Sequence, residues 1–181
     1  AQPLTDALAI SAVKRIFQYL PRAYQDGKNR EAREEMAAAA LEAGICINNS
    51  SVTIVHGMSR PIGALCHVPH GLSNAMLLDK CLQFALPGCY ERFGALGRAI
   101  GAASADSTDQ EAADALLQAV KLLCQTCEVP TPEQYGIAKT AFFNAVEKMA
   151  ADAITSGSPG NTRREVTAED CAAIYRSLWE N

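Results

Sequence analysis

At 181 residues the chain has the length of one ordinary domain and can bury a sizeable core. Apolar residues make up 49% and charged residues 20%, which excludes a disordered chain. A formal net charge of −4 with no basic stripe argues against nucleic acid or an anionic membrane surface as partner.

Helical periodicity dominates from the start. Ile10, Val13, Ile16, Phe17 and Leu20 recur at spacings of three and four, and Pro21 is expected to close that helix. Asp6 near its beginning favours the helix dipole. Asn29 is a candidate cap for a second helix with an alanine-rich run from Met36 to Ala43. Arg33, Glu34 and Glu35 read as its solvated face, and Gly44 sits just past that run. The stretch from Val52 to Cys66 fits one helix bent at Pro61, and Pro69 suits the first position of the next, which reaches about Phe84. Pro87-Gly88 signals a turn. Tyr90 to Ile100 reads as a helix in which Gly94 and Gly97 let a neighbour approach closely. Gly101 to Ser107 is a loop.

Thr108 with Glu111 fits a capping box, followed by the stripe Leu116, Leu117, Val120, Leu123. Pro130 and Pro132 force a loop before a helix from Ile137 to Ile154. Ser156 to Gly160 is the longest breaker run, and Thr167 caps a last helix with Cys171, Ile174, Tyr175 and Leu178 inward. Trp179 reads as core or subunit contact. No convincing strand appears. The expected fold is all-α, a multi-helix bundle forming a single helical domain over residues 1–181. No apolar run approaches the roughly twenty residues of a membrane span, and no charged-then-apolar leader opens the chain. The start at Ala1 suits a fragment or a processed chain. Seven scattered cysteines behave as small hydrophobes in a reducing cytoplasm. Cys124-x-x-Cys127 has no second pair and no preceding strand, so its reading is structural.

The chemistry concentrates between His56 and Gly71, which contains all three histidines. Imidazole is the commonest transition-metal ligand, and a histidine in an apolar wall needs a partner for its ring nitrogens. His56 would project from one helix and His70 from the first turn of the next, so the two can converge on one ion. Two imidazoles make half a site, because zinc takes three or four protein ligands and non-haem iron usually adds a carboxylate.

The run from Val55 to Leu78 (VHGMSRPIGALCHVPHGLSNAMLL) resembles the metal-binding signature of the iron-containing, group III alcohol dehydrogenases. Pro3 to Ala23, Arg30 to Asn49, Val129 to Ile137 and Val166 to Asn181 resemble other segments of that family, in order. In the family the first histidine of the signature and the histidine of Pro-His-Gly bind the metal; these positions are His56 and His70, fourteen apart. His67 falls where the family tolerates other residues, which favours packing or a pocket rim over coordination. Arg60 stands where the family often has a histidine near the nicotinamide. It is a candidate cofactor contact there, unable to act as neutral ligand or proton shuttle.

The resemblance implies the helical, C-terminal half of a dehydrogenase. Such an enzyme oxidises an alcohol, or reduces an aldehyde or ketone, by hydride transfer to or from NAD or NADP at a divalent metal. That metal is Fe²⁺, with Zn²⁺ as a possible substitute. The small residues Gly57, Gly63, Ala64 and Gly71 would leave room for the nicotinamide. The family's remaining ligands, in Asp-x-x-x-His, and its nucleotide-binding domain are expected upstream, with ligands held in the cleft between the two parts. A homo-oligomer, as a dimer, is expected. The alternatives are an isolated helical domain without activity, and a polyol dehydrogenase or synthase of the same superfamily.

Overall fold

The computed structural model describes residues 2–180. Ala1 and Asn181, the first residue and the last of the closing segment, lie outside the described residues. Among the described residues eight α-helices follow in order: α1 (Pro3–Gln25), α2 (Arg30–Ser50), α3 (Ile54–Cys66), α4 (His70–Ala85), α5 (Tyr90–Ala99), α6 (Asp109–Thr126), α7 (Lys139–Thr155) and α8 (Ala168–Ser177). Short 3-10 turns occupy Leu86–Gly88 and Ser158–Asn161. No strand occurs among the described residues, so the fold is all-α. The helices form two compact units, one of Ala1–Ser51 with Tyr90–Glu128 and the other of Val52–Cys89 with Val129–Asn181.

The first unit is built on an antiparallel pair. Thr5 pairs with Cys46, Ser11 with Glu42, Arg15 with Glu35, and Arg22 with Glu31, so α2 runs back along α1. Buried Ala12, Ala32 and Ala39 let the two backbones come close. Two expected helix ends move. Pro21 lies inside α1, which continues to Gln25. A proline so near the end removes one hydrogen bond, and the last turn is held from outside. Arg22 pairs with Glu31 at 2.6 Å and the Tyr24 hydroxyl donates to Glu128 at 2.5 Å. Gly44 lies inside α2, which runs on to Ser50. Asn29 caps that helix by accepting from the Ala32 N–H at 3.1 Å. Glu35, read as solvated, is half-buried on Arg15.

The glycines of α5 serve the packing the sequence suggested. A Cβ on Gly97 would meet the Ala112 carbonyl oxygen at 2.1 Å, and one on Gly94 the Asp109 carbonyl oxygen at 2.7 Å. Only glycine allows α5 to lie this close to α6. Arg98 ties the seam by donating to Asp109 at 2.6 Å and to the Ser107 carbonyl at 3.1 Å. The Thr108–Glu111 capping box starts α6 as expected. The backbone N–H of Thr108, then its hydroxyl, hold the Glu111 carboxyl below its ordinary pKa. Cys127 caps the other end of α6, and burial pushes its thiol up, away from the reactive thiolate.

The second unit centres on α3. Ile54, Met58 and Ile62 point inward among Leu77, Cys81, Phe142, Val146, Met149 and Tyr175. The Tyr175 hydroxyl, in the core, donates to the Met58 carbonyl at 2.7 Å. Gly57 packs on the Ser158–Asn161 turn, where a Cβ would meet Pro159 Cδ at 2.7 Å. Its smallness is thus used in packing, a role the sequence reading gave to the cofactor. Helix α3 begins at Ile54, later than the expected start at Val52, and passes through Pro61. Trp179 packs against Phe142 and Phe143 with ring centroids 5.4 and 6.0 Å apart. The Thr167–Asp170 capping box starts α8.

Two glycine replacements test this account. Gly97→Ala should destabilise the protein by about 1–3 kcal/mol, the usual range for overpacking. Gly44→Ala meets open space and should stabilise it by about 0.5–1 kcal/mol through helix propensity. Urea unfolding of both variants checks the opposite signs.

Candidate metal centre

His56 and His70 both belong to the second unit. His56 lies in the first turn of α3, on the side away from Ile54, Met58 and Ile62, and is half-buried. His70 is the first residue of α4. The turn between the helices brings them together. His67 takes the left-handed conformation, φ 54°, just past α3. Val68 is buried, and Pro69 caps α4 with extended backbone and accepts from the Ser73 N–H at 3.0 Å. Pro69 was expected one place later, inside the helix. Its own ψ of 139° is extended rather than helical, so α4 starts at the histidine.

The two imidazole rings lie with centroids 5.4 Å apart and planes tilted by 58°. Each histidine carbonyl is gripped from within its own helix by a buried serine three residues on. Ser59 donates to the His56 carbonyl at 3.2 Å and Ser73 to the His70 carbonyl at 2.9 Å. His67 stays outside the pair with its side chain exposed. Arg60, one turn beyond His56, is exposed and donates to the buried Ser158 hydroxyl at 3.2 Å. Ser158 had no signal in the sequence beyond its place in a breaker run. Asn74, also missed, sits four residues after His70, the spacing that stacks side chains on one helix face, and its amide reaches the His70 ring.

Electrostatics suit coordination at His56. Burial first, then the neighbouring His70 and Arg60, lower its pKa, so the ring is neutral at neutral pH with a lone pair to give. Among the described residues, however, no third histidine, cysteine or carboxylate converges with the pair. The donor chemistry fits a transition metal, and the donor number is half of a tetrahedral set.

The family model for the C-terminal part of the Fe-containing alcohol dehydrogenases matches residues 1–179. The chain belongs to the iron-containing alcohol dehydrogenase family. Among its curated relatives in that family is the NADPH-dependent butanol dehydrogenase of Clostridium saccharobutylicum. The two are 32% identical over 98% of this chain and 45% of the relative. The 1,3-propanediol dehydrogenase of Klebsiella pneumoniae is 31% identical over 99% of this chain and 46% of its own length. The crystal structure of a 1,3-propanediol oxidoreductase superposes with a TM-score of 0.92 at 30% identity, over 98% of this chain and 46% of that one. The chain therefore spans about half the length of the alcohol dehydrogenases it matches.

Folding lowers the His56 pKa, so the folded protein binds this proton less readily than the unfolded chain. His56 is without effect on stability above the ordinary imidazole value of about 6.5 and becomes unfavourable as pH falls from there through its depressed value. In NMR titration its midpoint should lie below about 6.5. His70→Ala should move the midpoint part of the way back, since burial, the larger cause, remains.

Proposed function

We propose that this chain supplies the helical, metal-holding part of an NAD(P)-linked alcohol dehydrogenase, and that His56 and His70 are two ligands of its divalent ion. The observation that carries the reading is the approach of the His56 and His70 rings, 5.4 Å between centroids, within the residues that the family model matches. When bound, iron or zinc would polarise an alcohol or carbonyl oxygen as a Lewis acid, and NAD(P) would exchange the hydride with the substrate carbon.

This chain's own part is to hold two lone pairs in fixed positions. His56 offers one because its surroundings disfavour the protonated ring. Ser59 and Ser73 hold the two histidine carbonyls, which limits how far either ring can drift. The two remaining donors and the nucleotide site come from outside the described residues. The chain's half-length match to its relatives supports that division. Arg60 stands beside the nicotinamide in this reading, a permanently charged donor steadied by Ser158. The substrates are small alcohols or aldehydes, in keeping with the names of the butanol and propanediol dehydrogenases it resembles. The protein works as a homo-oligomer in the cytoplasm. No single helix among the described residues is long and apolar enough to cross a membrane.

His56→Ala and His70→Ala, each made in the complete protein, should abolish metal retention, read by mass spectrometry after anaerobic loading with Fe²⁺. NAD(P)-linked alcohol oxidation should fall with it. Undiminished metal content in either variant would remove that histidine from the site.

A further inference from the structure

Asn74 lies one helical turn beyond His70 on α4. Its amide nitrogen Nδ2 is 2.9 Å from the His70 carbonyl oxygen and 3.1 Å from His70 Nε2. The first contact fixes which way the amide points. Turned over, Oδ1 would face the carbonyl at hydrogen-bond distance, acceptor against acceptor. Nδ2 therefore holds the position, and its two hydrogens serve two acceptors, one each. The Ser73 hydroxyl reaches the same carbonyl at 2.9 Å, which anchors that oxygen as an acceptor. Asn74 Oδ1 is shielded from solvent and accepts no hydrogen bond among the described residues. Burying an acceptor unused is unfavourable, so the donor contacts, not any need of Oδ1, decide the orientation.

The consequence falls on the His70 ring. A neutral imidazole has one N–H and one lone pair. A donor hydrogen arriving at Nε2 requires the lone pair there and leaves the proton on Nδ1. We propose that Asn74 is the positioning residue that fixes the His70 tautomer, with the proton on Nδ1, and so makes Nε2 the nitrogen offered to a divalent cation. The amide gives up its hydrogen bond to Nε2 as the ion takes the lone pair, and keeps its bond to the backbone carbonyl. This rests on the reading of His70 as a ligand. Metal-binding histidines usually have their tautomer set by an acceptor for the opposite ring nitrogen. Here the control acts on the coordinating nitrogen itself.

Ring spectra decide it. In the intact, metal-free protein carrying ¹⁵N-histidine, long-range ¹H–¹⁵N correlation separates the lone-pair nitrogen from the N–H nitrogen of each neutral ring. Wild-type His70 should appear as the Nδ1–H form. Asn74→Asp presents only acceptors, so it should convert His70 to the Nε2–H form. Asn74→Leu offers neither donor nor acceptor and should give a mixture, and it serves if the aspartate variant fails to fold. An Nε2–H ring in the wild type, or ring shifts unchanged by both variants, overturns the proposal. The ligand reading fails separately: it is refuted by a His70→Ala protein that binds Co²⁺ as the wild type does, whatever the tautomer.

Discussion

One helix of 13 residues has two jobs that pull in opposite directions. Along one side, α3 must bury Ile54, Met58 and Ile62 in the core of its unit. Along the other it must leave His56 half-buried and Arg60 exposed. A period of 3.6 residues per turn permits this only if the apolar and functional positions interleave without sharing a face. They do: the core positions recur every fourth residue from Ile54, and His56 and Arg60 are themselves four apart. Where small size was also needed, Gly57 and Pro159 supplied a close contact that a methyl group would break. The candidate centre is thus the reverse side of a packed helix, and its rigidity comes from the core behind it.

The same economy of space governs the other unit by different means. There the contacts are between backbones: alanines between α1 and α2, glycines between α5 and α6. A ladder of polar pairs then sets the register, because side chains this short cannot interlock. The partly exposed ion pairs within that ladder are worth little individually, and their value lies in selecting one alignment of the alanine-rich α2 on α1.

Much of this was legible in the chain. Capping residues were, since Asn29, Thr108 and Thr167 act through hydrogen bonds to residues three positions away. The close seam at Gly94 and Gly97 was visible as two glycines on one helical face. Helix ends were less so. Pro21 and Gly44 are local breakers, and both were overridden by partners far along the chain, Glu128 and Thr5 among them, which no local pattern encodes. In the candidate centre, His56 and His70 stood out because histidine is scarce here and the spacing matches a known signature. Ser158 and the orientation of Asn74 did not, for each depends on an angle or a tertiary contact that residue types alone leave open.

The hydroxyl of Tyr175 reaches the Met58 carbonyl, two residues past His56, from the last helix of the chain. The foundation of the candidate centre thus includes a residue 117 positions downstream of Met58. A piece of this protein ending ahead of α8 would retain both histidines and lose the strut beneath them. Its motif would be readable and its centre unbuilt. Finding the signature in a gene fragment is evidence of ancestry; the closing helix supports the backbone on which the candidate centre stands.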